Sequence, residues 1–180
     1  MEKNIAYIAL FAALIAALGL IPKIDLISGV PITAQSLGIM LCGTILGSKR
    51  GALAVLLFLG LVAIGLPLLS GGRGGYGVFL GPSAGFLVGF PIAAFVTGWI
   101  VEKWQTNLFV SAFVAAFIGG VVVLYAFGIP GMATVLGKTM PEATLLAAPF
   151  LAGDLIKCAV AALITRAVAQ MRPGALLSRA

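Results

Sequence analysis

Asp154 and Lys157 are the residues of this chain best placed to do chemistry. They stand within FLAGDLIKCAV at 150–160, inside an apolar segment that begins near Leu145. Asp154 is about nine residues into that segment, or ~14 Å along a helix, well inside a hydrocarbon layer of roughly 30 Å. A lone charge is costly at such depth. Three residues apart on a helix, the two side chains share a face, and a pair costs less there than either charge alone. An intramembrane ionisable pair is a functional-site hypothesis, and the competing account is a structural ion pair that locks the helix to its neighbours. The chain has no histidine, which removes the commonest general base and metal ligand. One intramembrane carboxylate without such a base points to recognition rather than catalysis.

The rest of the chain must hold that pair. Of 180 residues, 62% are apolar and 9% charged, far more apolar surface than a soluble core of this size can bury. The reading is an all-α integral membrane protein, a single membrane domain over residues 1–180 with six transmembrane helices. The spans are expected at about 5–21, 31–47, 52–66, 86–101, 108–128 and 145–170. Pro130, Gly131 and Pro141 mark 129–144 as a loop. The N-terminus, the turns at 48–50 and 102–107 and the C-terminal tail carry Lys3, Lys49, Arg50, Lys103, Arg166, Arg172 and Arg179, against Lys23, Arg73 and Lys138 in the opposite loops. By the positive-inside rule both termini are cytoplasmic, and the net charge of +6 reports orientation, not nucleic acid. Cys42 and Cys158 lie in apolar segments and act as small hydrophobes, with no disulfide or metal site inferred. The longer loops then gather outside, above the pair, as the rim of a cup.

Three other patterns bear on the pair. Gly72-Arg73-Gly74-Gly75-Tyr76-Gly77 has the letters of a dinucleotide fingerprint, but it follows a membrane span and no acidic residue lies ~20 positions on. GTILGSK at 43–49 misses the spacing of a phosphate loop. The glycine-rich segment is either a flexible connector or a loop whose backbone approaches a ligand, with Tyr76 offering an aromatic face. Gln35, with Thr33 and Ser36, forms a polar cluster at the outer end of the second span; its amide either bonds across helices or lines the same cavity as Asp154. Ala9 and Ala13, with Ala6 and Ala17, give the first helix a small-residue stripe, for which spacing alone favours internal packing. Trp99 and Trp104 are expected as anchors at the cytoplasmic interface.

GVPITAQSLG at 29–38, SGGRGGYGVFLGPSAGFLVGF at 70–90 and FLAGDLIKCAVAAL at 150–163 closely resemble the BioY family, the biotin-binding S components of energy-coupling factor (ECF) transporters. The likeness extends over nearly the whole chain, and the GPxxG segment and the D-x-x-K pair are its most specific parts. Ser83-Ala84 departs mildly from the Thr-Gly or Thr-Ala of related sequences. The resemblance implies a six-helix S-component fold in a bacterial cytoplasmic membrane, capturing biotin from outside without a cofactor of its own. A scaffold subunit, EcfT, and two ABC-type ATPases would supply the energy, and the Ala9/Ala13 stripe would face EcfT, against the reading from spacing. Asp154 would accept from the ureido N–H groups of biotin and Lys157 would donate to a ligand oxygen. Arg73, Gly74, Gly75 and Tyr76 would lie toward its carboxylate. The alternatives are a stand-alone biotin carrier and, from another class, a small membrane acyl- or phosphotransferase that uses the glycine-rich loop as an anion cradle.

Overall fold

The computed structural model describes residues 2–179, and its regular structure there is helical. Helices stand at each expected place: α1 (Glu2–Leu18), α2 (Gln35–Leu46), α3 (Ser48–Ala63), α4 (Ala84–Lys103), α5 (Leu108–Phe117) continuing through a π-helical turn (Ile118–Val123) into α6 (Leu124–Leu136), and α7 (Met140–Met171). Three helical rods, Ala84–Lys103, Leu108–Leu136 and Met140–Met171, are long and apolar enough to cross a membrane, while α2 is apolar but shorter.

The expected loop at 129–144 is largely helix. The α5–α6 rod runs through Pro130 to Leu136 and stops at Gly137, whose φ of 62° supplies the left-handed cap. The last helix starts at Met140 rather than 145, where Thr139 and Glu142 form a capping box and Pro141 occupies the first turn. Two features explain why the breakers fail to break. Proline can sit inside a membrane helix when neighbouring groups satisfy the freed carbonyl, and Pro91 and Pro149 do so here as well. Gly131 meets Gly85 of α4 so closely that a methyl on either would meet the other's backbone, so this glycine serves helix crossing instead of a turn. Other bounds shift less. The first helix ends at Leu18, Lys49 and Arg50 lie in the first turn of α3, and Glu102 and Lys103 still belong to α4.

One end of the bundle is tightly sewn. Gly47, at φ 85°, joins α2 to α3, and Glu102 on α4 accepts from both the backbone N–H and the hydroxyl of Ser48, at 2.7 and 2.8 Å. The C-terminal residues fold back over the same end. Ser178 donates to the Thr44 carbonyl at 2.6 Å, and Arg179 reaches the Trp104 carbonyl and the Ser111 hydroxyl. The opposite end carries the long connections. In 19–34 a single antiparallel bridge pairs Ile24 with Ile32, and in 64–83 another pairs Leu69 with Arg73. The core between them is built from Ile15, Met40, Phe58, Val62, Leu87, Phe90, Ala93 and Met132, with small residues where helices approach.

Candidate functional site

The α7 pair forms as its spacing requires, with Lys157 Nζ 2.9 Å from Asp154 Oδ1. Ser36, in the first turn of α2, completes a triangle: it accepts from Lys157 at 2.8 Å and donates to Asp154 Oδ1 at 3.3 Å. The other carboxylate oxygen, Oδ2, accepts from the Tyr125 hydroxyl on α6 at 2.8 Å. Asp154 is 5% exposed, so three helices converge on one buried carboxylate and all its partners are polar. A charge taken out of water is tolerated on these terms, paired and hydrogen-bonded on both oxygens.

The pair forms the floor of a cavity walled by Phe86, Phe90, Leu124 and Phe150, with Val30, Pro31 and Ile32 from the first outer connection and Leu69 and Arg73 from the second. Phe86 packs edge-on to Tyr125, ring centroids 6.2 Å apart, and tilted against Phe150 at 6.0 Å. The chamber is thus apolar and aromatic in its walls, with charged groups at its floor and an arginine in its wall. That arrangement suits a small ligand with an apolar body and polar ends.

Asp154, Lys157, Gln35 and Arg73 all line this cavity. Gln35 is 2% exposed, and its amide is committed to backbone: Nε2 donates to the carbonyls of Ile15 and Leu68 at 3.1 and 3.0 Å, and Oε1 accepts from the Ser70 N–H at 3.0 Å. It ties α1 and the glycine-rich connection to the start of α2. Arg73 donates from Nε to the Ser70 carbonyl at 3.3 Å. Gly74, Gly75 and Tyr76 are not brought to the cavity. A methyl at Gly74 would strike the Leu66 carbonyl, the Gly75 N–H is already donated to the Val62 carbonyl, and Tyr76 is 71% exposed. Ala9 and Ala13 lie on the exposed face of α1 together with Ala6 and Ala17, while Phe11, Ala12 and Ile15 face the bundle.

Sequence reasoning gave no role to Tyr125 or to the wall aromatics, and placed Ser36 only within a polar cluster. Tyr125 did carry a signal. It is the one tyrosine in the fifth span, and a phenol in hydrocarbon requires a partner.

The model of the BioY family matches residues 2–174. A protein of Rhodobacter capsulatus called "Biotin transporter BioY" is 54% identical, with 99% of this chain and 100% of that protein covered. One of the same name from Rhizobium etli is 56% identical over 92% of each chain. The "Probable biotin transporter BioY" of Bacillus subtilis is 40% identical, covering 93% of this chain and 90% of its own. Among solved structures, the S-component for biotin from an ECF-type ABC transporter superposes with a TM-score of 0.90 at 30% identity, covering 94% of this chain and 92% of that one.

Proposed function

The chain belongs to the BioY family, and from that footing we propose that it is the biotin-binding S component of an ECF-type vitamin uptake transporter. It is a multi-pass membrane protein and not an enzyme, in keeping with relatives that are transporters. The observation that carries the reading is the floor of the cavity. A carboxylate that accepts and an ammonium that donates stand side by side beneath aromatic walls. Biotin has the matching order of groups: a ureido ring with two N–H donors and a carbonyl, an apolar thiophane ring, and a carboxylate on an aliphatic tail. Asp154 and Lys157 take the ureido end, Phe86, Phe90 and Phe150 cover the ring, and Arg73 at the second outer connection receives the carboxylate. Gln35 holds that connection in place. A site that satisfies every polar atom rejects analogues lacking one.

Six spans in a bacterial cytoplasmic membrane, with both termini in the cytoplasm, suit this role. The basic first turn of α3, the α4–α5 turn and the C-terminal tail meet at one end of the bundle, as the positive-inside rule asks. The cavity is then lined from the outer connections, consistent with capture from outside. An EcfT-type scaffold and two ABC-type ATPases are the partners proposed, with Ala9 and Ala13 on the exposed face of α1 as the contact with EcfT.

Calorimetric titration of the purified chain with biotin tests the reading, with saturable one-to-one binding expected. A chain that binds no biotin in detergent or in lipid nanodiscs would overturn it. Uptake into vesicles with and without scaffold and ATPases separates the ECF subunit from a stand-alone carrier; ATP-dependent uptake only in their presence is expected.

A further inference from the structure

We infer that the π-helical turn Ile118–Val123 sets the register that delivers Tyr125 to Asp154, and that Tyr125 is thereby a positioning residue for ligand capture. Along α5 the buried positions are Ser111, Ala112, Ala115 and Ala116. Continued as an unbroken α-helix, this face would turn Gly119 and then Val122 inward, because residues seven and eleven apart return to within about 20° of each other. Val122 is instead 52% exposed, and Val121, Leu124 and Gly128 are buried. A π turn closes its hydrogen bonds five residues back and so absorbs one surplus residue. Everything after it lags by one position, a rotation of about 100°.

The turn is held where it is by its neighbours. A methyl at Gly119 would run into Thr97 Oγ1 and the Ala93 carbonyl, and one at Gly120 would meet the Met40 side chain. Thr97 Oγ1, buried against this turn, has no hydrogen-bond partner among the described residues. Two residues past the turn, Tyr125 donates to Asp154 Oδ2. Lys157 and Ser36 both engage Oδ1, so among the described residues the phenol alone fixes the second oxygen and with it the plane of the carboxylate. Without the turn, the same sequence would point Tyr125 about 100° away.

This inference rests on biotin as the ligand of the site. Biotin titrations on the full chain test it with three variants: Tyr125→Phe, Asp154→Asn and their combination, beside a chain from which Val122 is deleted. Tyr125→Phe should bind biotin roughly 10-fold more weakly, the worth of one hydrogen bond to a charged group. It should add almost nothing on top of Asp154→Asn, since its effect passes through that carboxylate. Removing Val122 takes out the surplus residue and lets an ordinary α-helix keep Tyr125 in place, so affinity should stay within about threefold of wild type. Additive losses, or a Tyr125→Phe chain that binds as wild type while melting earlier, overturn the positioning role. A Val122 deletion that fails to fold, or binds as poorly as Tyr125→Phe, overturns the register assignment. Wild type that binds no biotin removes the functional reading and this inference with it.

Discussion

Gln35 and Ser36 are adjacent in the first turn of α2 and serve opposite purposes. Gln35 gives its whole amide to the backbone of Ile15, Leu68 and Ser70, while Ser36 turns its hydroxyl to Lys157 and Asp154. One peptide unit therefore couples the outer connection at 64–83 to the charged floor of the cavity, and each half of that coupling can be removed separately.

At the floor, Asp154→Asn and Lys157→Met should each weaken biotin binding by at least ~3 kcal/mol, since each leaves the partner charge buried without compensation as well as losing a ligand contact. Isothermal titration measures the loss. Wild-type affinity in both, accompanied by lower thermal stability, would make the pair a structural tie.

At the other half, Gln35→Leu leaves the Leu68 carbonyl and the Ser70 N–H without partners at a residue 2% exposed, while the Ile15 carbonyl keeps the Gly19 N–H. The expected cost is about 2 kcal/mol or more in stability. Hydrogen exchange at the Ser70 amide should accelerate while the amides of α7 keep their protection. Equal acceleration in both places would mean that Gln35 supports the whole bundle and not the connection.

How much of this was readable from the chain differs from element to element. The α7 pair was legible because a charge in an apolar run has few permitted explanations, and a spacing of three residues settles their common face. The α5–α6 rod was not, because Pro130, Gly131 and Pro141 read as breakers by local propensity. In the fold, Gly128 gives room to the Phe86 ring and Gly131 to the backbone of Gly85. That distinction depends on what lies across the interface, which no local window contains. Tyr125 was missed for a related reason: the side it faces depends on a π turn, and the apolar run IGGVVV does not announce one. Gln35 lines the cavity, but two of the three backbone groups that hold its amide lie in a connection more than thirty residues away.

Gly128→Ala tests that crossing. The added methyl would strike the Phe86 ring, which lines the cavity, so the ring must move toward the ligand or the helices must part. Overpacking of this kind costs typically ~1–3 kcal/mol, and biotin affinity should fall roughly tenfold. Gly60→Ala is the control: a methyl there meets nothing within 4 Å, and affinity and melting temperature should hold or rise slightly. Unchanged binding in the Gly128 variant would show that Phe86 yields without disturbing the site.

Capture and coupling should separate at α1. Ala13 is on the exposed face, so Ala13→Trp leaves the core around Ile15 untouched and adds bulk only where a partner helix would approach. The variant should bind biotin normally yet neither copurify with an EcfT-type scaffold nor support transport. Retained copurification would sink the assignment of this face, and so would biotin binding lost together with it.

The hydrogen bonds that Asp154 already holds have a calorimetric consequence. Both of its oxygens are engaged within the protein, one by Lys157 and Ser36 and the other by Tyr125, so a ureido group arrives at an occupied carboxylate and binds by exchanging partners. Exchange leaves little net enthalpy at the polar end. The drive must come from drying the faces of Phe86, Phe90 and Phe150, and its mark is a negative heat-capacity change. Titrations at 10, 20 and 30 °C should therefore give enthalpies that become steadily more favourable on warming, while the affinity barely moves. A temperature-independent enthalpy would assign the drive to the charged floor instead of the aromatic walls.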